Sequence, residues 1–126
     1  MQRVVLDMQS YVMSDAIRMA LRNNGDFQVE TAKKPEDTAR LCFDFAATVV
    51  IMEVTGYTPW LLTERLKIRD QIKKRCPECK IALLVDENAE KEAAEKVKNA
   101  KRRGQIDLFL YGSTSASYLS ALVDCL

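Results

Sequence analysis

The chain has 126 residues, enough for one domain with a core of its own, and 1–126 is read as that single domain. Nineteen basic and eighteen acidic side chains leave a formal charge of +1, which makes no electrostatic case for a nucleic-acid or membrane partner. Histidine is absent, which removes the commonest general base and metal ligand, and no apolar run approaches the roughly 20 residues of a membrane helix. A cytoplasmic, non-enzymatic protein without a signal peptide is the expectation.

Arg3-Val4-Val5-Leu6-Asp7 opens the chain as a short apolar run ending in an acid. A helix is predicted from Ser10 to Asn24, where Val12, Met13, Ile17, Ala20 and Leu21 recur at helical spacing and Gly25 follows as a stop. Phe27 to Ala32 alternates as a half-exposed edge strand does. Pro35 opens a second helix, with Glu36 and Asp37 near its positive end and Ala39, Leu41, Cys42 and Phe45 along it.

Thr48 to Val54 is apolar or β-branched except for Glu53, and reads as a strand buried on both faces. Gly56 and Pro59 mark the loop behind it. The third helix is predicted from about Trp60 to Lys74, with Leu61, Leu62, Leu66, Ile68 and Ile72 on its apolar side and Arg65, Lys67, Arg69, Lys73 and Lys74 mostly on its wet side.

Lys80 to Asp86 is another buried-looking strand ending in an acid. Asn88 to Arg103 reads as a charged helix burying only alanines and Val97, with Glu87–Lys91 and Glu92–Lys96 as i,i+4 pairs and Gly104 as its cap. Asp107 to Tyr111 is the last strand, and Ser113 or Thr114 caps a final helix that runs to Leu126.

Five strands alternating with five helices predict an α/β fold: a doubly wound, flavodoxin-like parallel sheet of five strands in order 2-1-3-4-5, with right-handed crossovers. In such sheets, ligands gather beyond the carboxyl ends of the strands, which places Asp7 and Glu53 near one edge.

Over nearly its full length the chain resembles the receiver domain of two-component response regulators. Val4-Val5-Leu6-Asp7-Met8 resembles that family's first strand, which ends in a magnesium-holding acidic pair. Val49 to Glu53 resembles the third, whose terminal Asp accepts a phosphoryl group. Leu83-Leu84-Val85 resembles the fourth, which ends in a switch Thr or Ser, and Asp107 to Gly112 the fifth, which ends in Lys-Pro. The spacing agrees and the chemical residues mostly do not. Asp7 matches the first acid, but Met8 stands at the second. Glu53 replaces the phosphoacceptor, Val85 the switch hydroxyl, Tyr111 the lysine and Gly112 the proline; Asp86 stands where a small residue is usual, and Leu108 where an aromatic rotamer switch is usual.

The resemblance thus implies a degenerate receiver in two-component or phosphorelay signalling, acting through protein contacts without productive phosphorylation. The alternative is a working receiver with magnesium at Asp7 and Glu53, which are weak ligand candidates because Met8 offers a soft thioether where a hard oxygen is wanted. Glu53 has three open readings: a constitutive mimic of a phosphorylated residue, a residual acceptor, or a solvated acid at a strand end. Asp7 is either a turn-capping acid or a residual cation ligand. By the same resemblance, a protein partner or output domain, or a second copy, would dock on the face formed by residues 88–126.

Cys76-Pro77-Glu78-Cys79 permits a third reading, a thiol-redox or metal-binding protein. The pair lies after a helix and before a strand, where no helix dipole lowers a thiol pKa, and Cys42 and Cys125 do not form a second CxxC.

Overall fold

A computed structural model describes residues 2–126. Five parallel strands form one sheet: β1 (Gln2–Asp7), β2 (Phe27–Thr31), β3 (Val49–Val54), β4 (Lys80–Val85) and β5 (Leu108–Tyr111). Their order is β2-β1-β3-β4-β5, as expected from the sequence. Five α-helices connect and follow them: α1 (Tyr11–Asn24), α2 (Thr38–Phe45), α3 (Leu62–Arg75), α4 (Lys91–Arg102) and α5 (Ala116–Asp124). No described helix is long and apolar enough to cross a membrane.

Side chains alternate across a pleated strand, so each strand feeds two cores. Val50, Met52 and Val54 of β3 point to one face, where they pack with Ile68 and Ile72 of α3 and Val97 of α4. Val49 and Ile51 point to the other, against Ile17 and Leu21 of α1 and Leu119 and Val123 of α5. Every residue of β3 is buried, the property that its unbroken apolar run predicts for a central parallel strand.

Several boundaries differ from the sequence expectation, each for a local reason. Pro35–Asp37 forms a 3₁₀ turn before α2. Helix α3 starts at Leu62, because Trp60 belongs to the preceding loop, where its N–H bonds the Tyr57 carbonyl and its own carbonyl accepts from Thr55. Helix α4 starts only at Lys91: Asp86 accepts the N–H groups of Asn88 and Ala89 at 3.0 and 3.1 Å and holds the segment before it in a turn. Glu87 is therefore not on the helix, and its carboxylate accepts from the Ser113 hydroxyl instead of pairing with Lys91. The cap of α5 is Ser115, one residue past the expected pair. Gly104 lies just beyond α4 with φ +77°, a left-handed conformation that glycine adopts without a Cβ penalty.

Candidate functional site

The carboxyl ends of β1 and β3 are adjacent, and Asp7 pairs in register with Met52. By the alternation of the pleat, Asp7 shares the face of Val5, under α2 and α3, whereas Glu53 shares the face of Ile51, under α1. The two acids reach the same sheet edge on opposite sides of it.

Asp7 is 1 % exposed and Arg65, from the first turn of α3, is 0 % exposed. Arg65 Nη1 lies 2.6 Å from Asp7 Oδ2, and Nη2 donates to Asp7 Oδ1 at 3.2 Å and to the Asp7 carbonyl at 3.1 Å. Nε donates to the Glu53 carbonyl at 2.8 Å, so one guanidinium ties together the ends of β1 and β3. The Thr38 hydroxyl, at the first position of α2, donates to Asp7 Oδ2 at 2.6 Å. The Trp60 ring covers the guanidinium, with Arg65 Cζ 4.7 Å from the ring centroid. This is a two-pronged, charge-assisted pair, shielded from water by a cation–π contact.

Arg65 was grouped with the residues expected mostly on the wet side of the helix and instead occupies the buried side. Its position relative to Ile68 and Ile72, three and seven residues on, puts it on the apolar stripe. An arginine on such a stripe signals a buried acidic partner, because an unpaired buried charge is too costly to keep.

Glu53 is 7 % exposed, so it is not the solvated strand-end acid. Its Oε1 accepts from the backbone N–H of Gln9 at 2.8 Å and of Ser10 at 3.1 Å. It thereby ties the end of β3 to the loop that opens α1, whose N-cap is Ser10 itself. The extra methylene relative to Asp supplies reach toward these amides.

The remaining positions scatter. Met8 is buried with the core on the α1 side. Val85 is buried with the opposite core, and Tyr111 packs against that core with its ring 5.6 Å from Phe109. Asp86 is drawn into its own turn and does not join Asp7 in an acidic pocket. Gly112 donates its N–H to the Val85 carbonyl at 2.9 Å, closing the edge between β4 and β5.

These donors do not suit magnesium. Both Asp7 oxygens are committed to Arg65 and Thr38, Glu53 Oε1 is committed to two amides, and Met8 is apolar. Magnesium demands near-octahedral oxygen ligation. Among the described residues no three Cys, Asp or Glu side chains group so as to hold a metal ion.

The cysteines follow the same pattern of packing. Cys42 and Cys79 are buried in the core under α2 and α3, and Cys76 packs against it. The hydrogen bond to Cys79, together with burial, pushes the Cys42 thiol well above its ordinary pKa. Desolvation raises Cys76 as well. The hydrogen bond with Cys42 lowers the Cys79 thiol, against the opposing effect of burial, so Cys79 is governed by Cys42 across the core and not by its CxxC neighbour Cys76. A thiol reagent is expected to modify the exposed Cys125 first and Cys76 more slowly, and to reach Cys42 and Cys79 only in denaturant. Mass mapping of the labelled peptides checks this order; rapid paired loss of Cys76 and Cys79 would contradict it.

No protein-family model matches the chain, and no curated protein matches it in sequence. Solved structures do match it in shape. A response regulator from Thermotoga maritima superposes with a TM-score of 0.78 at 18 % identity, covering 98 % of this chain and 95 % of its own. Chemotaxis protein CheY4 of Vibrio cholerae gives 0.75 at 20 % identity, covering 100 % and 99 %. An orphan response regulator of H. pylori gives 0.75 at 18 % identity, covering 98 % and 94 %. At these identities the likeness shows the fold alone, a CheY-like α/β fold shared with response-regulator receiver domains.

Proposed function

We propose that this protein is a receiver-like signalling domain whose phosphoacceptor site is replaced by an internal ion pair, and that it acts by binding a protein partner without being phosphorylated. One observation carries the reading: Arg65, fully buried, holds Asp7 and both strand ends where a receiver would recruit a cation. Phosphoryl transfer to a carboxylate needs a free nucleophile, a cation to bridge the incoming charge and donors around the oxygens. Here Asp7 is neutralised from within, and Glu53 is turned toward the amides of Gln9 and Ser10. Val85 and Tyr111 supply neither the hydroxyl nor the fixed positive charge of the family pattern.

On this reading the partner, an output domain, another protein or a second copy, docks on the face of α4, β5 and α5, and its binding does not wait for a covalent switch. Incubation with acetyl phosphate and magnesium is expected to leave the intact mass unchanged, both for the parent and for Glu53→Asp. A stoichiometric phosphoryl adduct on Glu53 would overturn the proposal in favour of a working receiver.

A further inference from the structure

A cavity of about 620 Å³ lies between α1 and the edge strand β2, beside the site already described and open to the loop that carries Trp60. That is within the size range of small-molecule sites, roughly 300–1,000 Å³. Ser14, Arg18 and Arg22 follow one another at i, i+4 and i+8 on α1, so they form a single polar stripe along one wall. Lys33 lies two residues past the end of β2, and Glu30 is the one acid among the lining residues. Three cations against one carboxylate give the cavity a positive field in a chain that is nearly neutral as a whole.

Two polar groups on that stripe lack partners. Ser14 is 3 % exposed, and among the described residues no group pairs with its hydroxyl. Arg18 donates to the Thr31 hydroxyl through Nη2, but its buried Nε pairs with no group among the described residues. A buried donor left unpaired is destabilising, so an oxygen-rich ligand that reached both would remove a standing penalty. Met8, Val29, Ala32 and Trp60 give the wall its apolar part, with Tyr11 at the rim, and Gln9 and Thr31 add two neutral polar side chains.

We infer that this cavity binds a small phosphate monoester with a planar aromatic body, of mononucleotide size. Arg18, Arg22 and Lys33 hold the phosphate, the Ser14 hydroxyl and Arg18 Nε donate to its oxygens, and the planar body lies against Trp60. A dianion suits the excess of two positive charges better than a monoanion does. The inference is independent of whether the ion pair at Asp7 blocks phosphorylation, since no lining cation takes part in that pair.

Trp60 is the only tryptophan, so its fluorescence reports occupancy directly. Titration of the intact protein with adenosine monophosphate is expected to give a saturable change with a dissociation constant below millimolar. Adenosine and inorganic phosphate, each carrying half of the ligand, are expected to bind at least about tenfold more weakly. Arg22→Ala changes an exposed side chain and is expected to weaken binding severalfold with the circular dichroism spectrum unchanged. Arg18→Ala is expected to weaken it by about tenfold or more. The inference is overturned by any of three results: no saturable change with adenosine monophosphate, equal binding of adenosine or inorganic phosphate, or parental affinity in both folded variants.

Discussion

Arg65→Ala is expected to destabilise the domain by about 3–5 kcal/mol, because it leaves the Asp7 carboxylate buried without its counter-charge. The pair is held by two donors at 2.6 and 3.2 Å, with side chains 0 % and 1 % exposed, so water cannot replace the lost guanidinium without opening the core. The same substitution frees the Asp7 and Glu53 carbonyls and removes the cation under Trp60. Arg65→Lys keeps the charge but not the planar fork, and is expected to fall between parent and Ala. The double variant Arg65→Met with Asp7→Leu removes both charges together and is expected to recover much of the loss, since an apolar replacement leaves no orphan ion. Urea denaturation, with the slope checked for constancy, measures all of these. A loss below about 1 kcal/mol for Arg65→Ala would show that the pair is far more solvated than its geometry implies.

Ile51→Ala is expected to cost about 2–5 kcal/mol, the range for truncating a large aliphatic side chain in a tight core. Ile51 is fully buried in the middle of the sheet, paired in register with Leu6 on one side and Ala82 on the other. Its side chain belongs to the layer formed with α1 and α5, which closes poorly over a hole because strands on both sides fix the backbone. Val12→Ala is the matching control: Val12 is 82 % exposed on α1, and the change is expected to stay within about 0.5 kcal/mol. Equal losses at the two positions in the same denaturation experiment would refute the two-layer core.

The Arg65 and Ile51 predictions differ in how much of each the amino-acid pattern announces. Ile51 is legible: an unbroken run from Thr48 to Met52 fits a strand covered on both sides. Arg65 is legible only in part. Its spacing from Ile68 and Ile72 places it on the buried stripe of α3, but nothing local says which acid meets it, and Asp7 is 58 residues away. Glu53 stands in a strand that announces itself, yet the destination of its carboxylate depends on where the loop after Asp7 presents two free amides. The thiols make the same point, because the nearest Cys in sequence to Cys79 is Cys76 and its partner in space is Cys42.

The sequence by itself determined the number and kind of elements, their parallel arrangement and the strand order. Apolar runs, helical spacing and turn residues act over a few neighbours, and right-handed crossovers leave little choice in how five βα units assemble. Set beside the receiver pattern it resembles, the sequence also carries other residues at Met8, Glu53, Val85 and Tyr111. Only the tertiary structure decided what those residues do. The pleat sends Asp7 and Glu53 to opposite faces of one edge, α3 brings Arg65 to the first, and the loop before α1 brings its amides to the second. Charges are satisfied by whatever the fold carries to them across the chain, and that is a property of packing and not of spacing.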